Sequence, residues 1–474
     1  MRTTLFLFAL CLQSCTVLAQ VPITSPTISN EILDEVVDGS GAALPVAVSS
    51  LPIDFFDDYS WRMFVALNWP AVKGQRGSAD TNLDISDTSR QRVWETWKSA
   101  YETIPPKGKQ PTPWNSFDAE VPITGIAFSG GGAEKIFGSF TQFGDISQAD
   151  FGGLAGPLVC QNNTFTHSEI HVNQPQFEFI VSNKFYDRQV VDNISGSVSF
   201  PNGSIEVKAS WREFKDSDDA ATRSRYYRVI AKAQDYRNNS GKSGEFGLIG
   251  LHIVQKTPLR PQWVWSSFEH VDNVPAFGQN PSPGSKFAFN DPTKPQVLAP
   301  ATATDEVTPS SYLNASNDPI ITVGGSPVAT PMQVVRNLPI ATQTSSTNLR
   351  YQNKLAGTVW ANYMLVTTQW PTDPTEPDGT PFPPDPQGTS GDLSVANTTM
   401  ETYFQSGTSC MTCHHLFGSN KLDFVYFPSV HSQKRDPGLE GSNTANFVKR
   451  MNVEFSKFRE KSLINDANRL GVKR

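Results

Sequence analysis

Between residues 160 and 275 the chain breaks into short β-prone runs, at 176–181, 197–200, 204–210, 226–233, 246–255 and 262–268, separated by Gly, Asn, Asp, Ser and Pro. Several alternate apolar with polar residues, the period of a strand with one buried face. Such strands must bury their apolar sides against one another or against helices, so an antiparallel sheet or sandwich is expected. A further strand-like run at 355–369 lies far from the others in sequence and is expected to close the same sheet. An aromatic content of 11% and a charged fraction of 18%, with 33 Gly and 35 Pro, favour β-rich structure with many turns over a helical bundle.

Helices are expected ahead of these strands. Residues 54–69 carry Phe55, Tyr59, Trp61, Phe64, Val65 and Leu67 before Pro70, which predicts an amphipathic helix stopped by a proline. Residues 90–101 place Val93, Trp94, Trp97 and Tyr101 on one helical face, so the two helices form a packing layer. The fold class expected is α+β, a large antiparallel β-rich body with N-terminal helices and a small α-helical C-terminal segment.

The first nineteen residues read as a cleaved secretory signal: Arg2, an apolar run from Leu5 to Leu12, and a small-residue exit at Ala19. A lipoprotein signal acylated at Cys15 is the minor alternative. Residues 20–50 read as an extended lead-in, 51–370 as the body, 371–392 as a Pro-rich linker and 393–474 as a C-terminal segment. Within that segment Asn397 or Thr398 can cap a short helix, and 443–470 has helical spacing. No run is apolar for long enough to span a bilayer, so an exported, periplasmic, soluble product is expected. At 474 residues the chain can bury a sizeable core without staples.

A net charge of -7 argues against nucleic acid as a partner, because counterion release from phosphates needs a basic surface. Five cysteines are present, two of them, Cys11 and Cys15, in the leader, which leaves Cys160, Cys410 and Cys413. So few, and an odd number, make no disulfide scaffold. Cys160 is expected as a buried, packing thiol.

The most specific run is Cys410-Met411-Thr412-Cys413-His414. Two thiols three positions apart can both add to the vinyl groups of one haem, and the following imidazole turns toward the iron. A thioredoxin-like dithiol would follow a βαβ strand, and a zinc site would want a fourth ligand beside Cys410, Cys413 and His414 or His415. Neither context is visible in the chain. One covalently attached haem c is therefore expected, held by Cys410 and Cys413, with His414 as the iron ligand through Nε2. Its Nδ1 should be oriented by a backbone carbonyl, with the loop near Pro428 as the expected source. For a sixth ligand the candidates are His431, Met451, Met400, His252 and His270, or none.

The motif at Cys410, the run Tyr59-Ser60-Trp61-Arg62-Met63-Phe64-Val65-Ala66-Leu67-Asn68-Trp69-Pro70, and the stretches 251–254 and 263–273 together resemble a group of exported bacterial c-type cytochrome family proteins. The resemblance covers most of the mature chain and implies haem attachment, without a defined function. Two functions follow as expectations. One is electron transfer, with a redox partner protein drawn to the basic C-terminal segment; residues 391–474 hold eleven Lys or Arg against eight Asp or Glu, leaving about -10 for the remainder of a chain of net charge -7. The other is a haem enzyme, such as a peroxidase, with a small-molecule substrate in a cleft of the β-rich body and His252 or His270 as acid, base or distal ligand. A haem-based sensing module is a third, weaker option.

Replacing Cys410 and Cys413 together by Ala should abolish covalent haem. Haem that stays with the double variant through acid-acetone extraction would contradict the attachment.

Overall fold

A computed structural model describes residues 21–45, 53–105, 108–118, 135–137, 158–235, 240–296, 321–323, 326–328, 331–370, 397–402, 405, 410, 414, 422–425, 427 and 428. Cys413, His415, His431, Met451, the leader with Cys15, the linker 371–392 and the helical spacing at 443–470 lie outside the described residues.

The architecture is α+β with a β-rich body. In chain order the main elements are α1 (Ile53–Leu67), β1 (Lys98–Ser99), α2 (Ala100–Thr103), β2 (Lys135–Ile136), β3 (Thr166–Val172), α3 (Gln174–Ser182), α4 (Arg188–Asp192), β4 (Ile205–Glu213), α5 (Ala220–Arg223), β5 (Arg228–Asp235), β6 (Ser240–Thr257), β7 (Arg260–His270), β8 (Ile321–Val323), β9 (Ser326–Val328), α6 (Thr342–Lys354) and β10 (Tyr363–Gln369). Eight of the strands form one sheet and β8–β9 make a small separate hairpin. All its pairings are antiparallel except β2 with β5, so the sheet is mixed.

The spine is β6, at 18 residues. One edge pairs with β4; the other pairs with β5 over its first half and β7 over its second. β10 then pairs with β7, so the late run does join the sheet, although Val359–Asn362 forms a 3-10 turn capped by Thr358 before the strand begins.

Successive side chains of a strand point to opposite faces. On one face of β6, Leu251 and Ile253 are buried in the hydrophobic core, and Gln255 receives the Tyr59 hydroxyl and donates to the Leu33 carbonyl at 2.7 Å. α1 lies on this face: Ser60 Oγ contacts Ser266 Oγ at 2.7 Å and Thr368 Oγ1 at 2.8 Å, and the Trp61 ring meets Phe268 edge-on at 5.1 Å. Every residue of α1 except Ile53, Asp54 and Arg62 is buried, so the expected amphipathic helix is in fact enclosed. Its outer side is covered by α6, where Asn348 Oδ1 accepts from Trp61 Nε1 at 2.9 Å and Tyr351 donates to Asp58 at 2.6 Å.

Three local expectations are corrected. Residues 176–181 are helix α3 and not strand, because Asn173 accepts from Gln176 N at 3.3 Å as an N-cap and Pro175 sits in the first turn. The helix expected over 90–101 is broken into a 3-10 turn, the two-residue β1 and α2, since Ser99 and Glu102 form a capping box that starts α2 at Ala100. The run 197–200 belongs to no strand. The lead-in 21–45 packs on the sheet, with Leu33, Val36 and Leu44 buried and Glu35 accepting from Leu259 N at 2.7 Å. Among the described residues no helix is long and apolar enough to cross a membrane.

Asp57, fully buried in α1, accepts from Thr368 Oγ1 at 2.9 Å, and burial pushes its carboxyl up from 3.8 to about 7. Between those values the unfolded chain ionises this group while the folded chain keeps the proton, so stability falls as pH rises through the window and levels off above it. Asp57→Asn should lose less stability than the parent between pH 4 and pH 8, by on the order of 2–4 kcal/mol. Urea unfolding at the two pH values checks this, and equal losses in parent and variant would refute it.

Candidate haem-binding site

The second face of the sheet is polar. Lys208 of β4, His252 of β6 and Ser267 of β7 stand side by side in register, with Trp265 and Glu269 two places along β7 on either side of Ser267. Such a face needs partners once it is shielded from water. They come from the end of the chain. Asn397 donates to Phe268 O at 2.8 Å and to Ser267 Oγ at 3.2 Å. Glu269, wholly buried, accepts from Thr398 N and Thr398 Oγ1, both at 2.8 Å, and pairs with the buried Arg336. Asn397 Oδ1 accepts from Thr399 N at 2.9 Å, and Glu401 N donates to Asn397 O at 3.0 Å.

Gly250 makes the close approach possible. A Cβ built on it would lie 2.5 Å from Thr399 Oγ1 and 3.3 Å from the Met400 methyl. Met400, 2% exposed, thus packs its side chain onto the sheet. Glu401 follows, its carboxylate taking Asn397 N at 2.8 Å and lying 3.4 Å from His252 Nε2. Burial raises the Glu401 carboxyl to about 7, with the Lys208 charge opposing, and holds His252 well below the ordinary imidazole range.

His414 stands against this face. Its ring centre is 4.1 Å from that of Trp265, and its Nδ1 is 2.9 Å from the carbonyl of Phe424. Burial carries the imidazole down to about 3, so it is neutral, the form that ligates a metal. The carbonyl is that of Phe424, four residues before Pro428. Phe424 and Asp423 are consecutive non-glycine residues with left-handed backbones, φ 64° and 54°, a conformation that costs energy and needs outside support. The support is Asp423: its buried carboxylate accepts from Lys256 Nζ at 2.7 Å and from Phe200 N at 2.7 Å. Cys410 is half-buried and packs on the same core.

The remaining candidates separate. His270 is distant in role: Nε2 meets Arg225 O at 3.1 Å, Nδ1 accepts from Asp272 N at 3.1 Å, and the ring stacks on Tyr226 at 3.7 Å. With both nitrogens engaged it has no lone pair for iron. His252 Nε2 is buried and has no hydrogen-bond partner among the described residues. An oriented neutral imidazole on one side and a buried, unpartnered imidazole nitrogen nearby fit a haem as the resident group. Cys160 is fully buried, and burial pushes its thiol up to about 11, as suits a packing residue. Among the described residues no group of three or more His, Cys, Asp or Glu side chains is arranged to hold a metal ion.

Lys208, Glu401, Phe424 and the Lys256–Asp423 pair are site residues that sequence reasoning missed. Lys208 and Lys256 had a signal, since each sits at a polar position of an alternating strand, but the groups near them arrive from far along the chain, Asp423 lying 167 residues beyond Lys256. Set beside known proteins, the chain matches no protein-family model, no curated protein and no solved structure.

Replacing Asp423 by Ala leaves the Lys256 ammonium buried without its carboxylate, and should cost about 3–5 kcal/mol of stability. Urea unfolding measures the loss. A change below about 0.5 kcal/mol would show that the strained loop is held by other means.

Proposed function

We propose that this chain is an exported mono-haem c-type cytochrome acting in electron transfer, its C-terminal segment forming the cytochrome c-like part. Cys410 and Cys413 would hold the porphyrin through thioethers, and His414 would ligate the iron. The observation that carries the reading is the 2.9 Å contact from His414 Nδ1 to the Phe424 carbonyl, within a Cys-x-x-Cys-His run. That bond sets the tautomer and the ring plane, leaving Nε2 as the ligating nitrogen.

When bound, the haem supplies a one-electron iron couple. The chain's own part is to shield and orient. Trp265 lies over the His414 ring, Leu422, Phe424, Val425 and Phe427 are buried around the loop, and the sheet excludes water from one side. A dry, rigid shell lowers the reorganisation that electron transfer requires and tunes the potential. The net charge of +3 on residues 391–474 favours an acidic redox partner protein.

A haem enzyme, a peroxidase or small-molecule oxidoreductase, is the second reading. The pairing of His252 with Glu401 at 3.4 Å favours it, because an imidazole beside a carboxyl raised to about 7 is a usable acid–base couple.

The test is the matured protein itself. Intact-mass analysis should show one added porphyrin, lost in the Cys410→Ala, Cys413→Ala double variant, and reduced spectra should be those of a low-spin haem c indifferent to carbon monoxide. Matured protein without the porphyrin mass ends the haem reading. A haem that binds carbon monoxide readily favours the enzyme.

A further inference from the structure

We infer that Tyr351 is a redox-active residue, the end of a chain of oxidisable rings through the core, where an electron vacancy comes to rest as a neutral tyrosyl radical while Asp58 holds the phenolic proton. The site lies within the body, between α1 and α6, and does not depend on the haem reading.

Continuity is the first support. Between ring centres, Trp94 lies 6.3 Å from Trp211, Trp211 lies 6.1 Å from Tyr227, and Tyr227 lies 5.1 Å from Trp360. Phe64 sits 5.7 Å from Trp360 and 5.4 Å from Trp61, and Trp61 stacks on Tyr351 at 5.1 Å with the planes 4° apart. All seven rings are buried. Electron tunnelling falls off exponentially with distance, so exchange between neighbouring indole and phenol rings is fast. Phe64, which resists oxidation, fills the one longer step.

Charge gives the chain a direction. Lys135 Nζ lies over Trp94 at 5.1 Å and over Trp211 at 4.7 Å, while the Arg92 guanidinium lies over Tyr227 at 5.0 Å and Trp360 at 6.0 Å. A cation over a ring face is drawn to the ring's electron density and repels the same ring once an electron has left. Among the described residues no Lys or Arg lies over Trp61 or Tyr351. The vacancy is therefore driven toward that pair.

The proton acceptors fix the end point. An oxidised phenol sheds its proton, so it needs a base at the hydroxyl. Tyr351 donates to Asp58 Oδ1 at 2.6 Å, and Asp58 is 3% exposed. Among the described residues no Lys or Arg bridges to Asp58, Arg62 reaching Glu31 instead at 3.7 Å. Burial raises the Asp58 carboxyl, with the Tyr351 hydroxyl and the Arg62 and Arg350 charges opposing, and a raised carboxylate is a better base. At the other end the bases are occupied. Tyr227 donates to Glu95 at 2.5 Å and Trp211 Nε1 to Glu169 at 2.8 Å, but both carboxylates grip Lys135, at 2.8 and 2.6 Å. Burial would raise the Glu169 carboxyl, yet Lys135 and His171 hold it at about 2. Tyr363, 5.6 Å from Trp360, donates to the Leu248 carbonyl, which cannot keep a proton.

The step balances. A one-electron oxidant, a high-potential metal complex such as ruthenium(III) tris-bipyridine, takes one electron from the chain of rings. Tyr351 refills Trp61 with one electron, its O–H bond breaks, and the proton forms a new O–H bond on Asp58.

The experiment flash-oxidises the full matured chain, in its oxidised form, with photogenerated ruthenium(III) tris-bipyridine and freezes it for electron paramagnetic resonance. Wild type should give a neutral tyrosyl radical, recognised by the spectral narrowing that ring-deuterated tyrosine produces. Tyr351→Phe should lose that signal, and Asp58→Asn should lose most of it in favour of a tryptophan radical. If neither variant folds by circular dichroism, Trp360→Phe decides, since breaking the chain at that ring should likewise cut the tyrosyl yield. A tyrosyl signal undiminished in the folded variants, or a wild type that yields only tryptophan radicals under both deuterations, would overturn the assignment. The presence or absence of porphyrin mass is read separately and bears on the haem reading alone.

Discussion

The pleat of β6 governs this molecule. Because alternate residues of a strand must face opposite ways, Leu251, Ile253 and Gln255 go to one side and Gly250, His252 and Val254 to the other. The first set builds the core with α1, itself sandwiched between sheet and α6. The second lies on the face that carries Lys208, His252, Ser267 and Glu269, whose hydrogen-bonding groups need polar partners once they are covered. A one-residue slip in register would exchange the two, so the pairing that fixes the core also fixes where the C-terminal segment can lie.

How buried charge is compensated on the two faces separates structural charge from chemical opportunity. On the core face, at the far end of the sheet, Lys135 lies between Glu95 at 2.8 Å and Glu169 at 2.6 Å, and Glu169 also takes His171 Nε2 at 2.9 Å and Trp211 Nε1 at 2.8 Å. Every group there has an answer, and the cluster serves to tie β2 and the 94–96 turn to the sheet. Beneath the C-terminal segment, Lys256 has Asp423 and Glu269 has Arg336 and Thr398. His252 Nε2 is the contrast.

The loop 422–425 shows how such compensation is used. Two left-handed residues in succession are unfavourable for side chains larger than glycine, and they are kept by the buried Asp423–Lys256 pair. The strain places one carbonyl at His414. A structural ion pair on β6 thus orients an imidazole that lies nine residues before it in the chain.

By itself the sequence determined what is local. The strands at 204–210, 226–233, 246–255 and 262–268, the helix ahead of Pro70, and the Cys410-x-x-Cys413-His414 run were all legible, because period-2 alternation, a proline stop and motif spacing are properties of neighbouring residues. Helix α6 was not, since it packs through Thr344, Thr347, Asn348 and Tyr351, a polar stripe that hydropathy does not report. Nor was α3, where an Asn–Pro start outweighs the alternation of Gln176 to Val181. The pairing of His252 with Glu401, of Lys256 with Asp423 and of His414 with Trp265 and Phe424 belongs to tertiary structure alone. Which distant groups meet depends on strand register and on the closing of long loops, and no residue carries that information within its own neighbourhood.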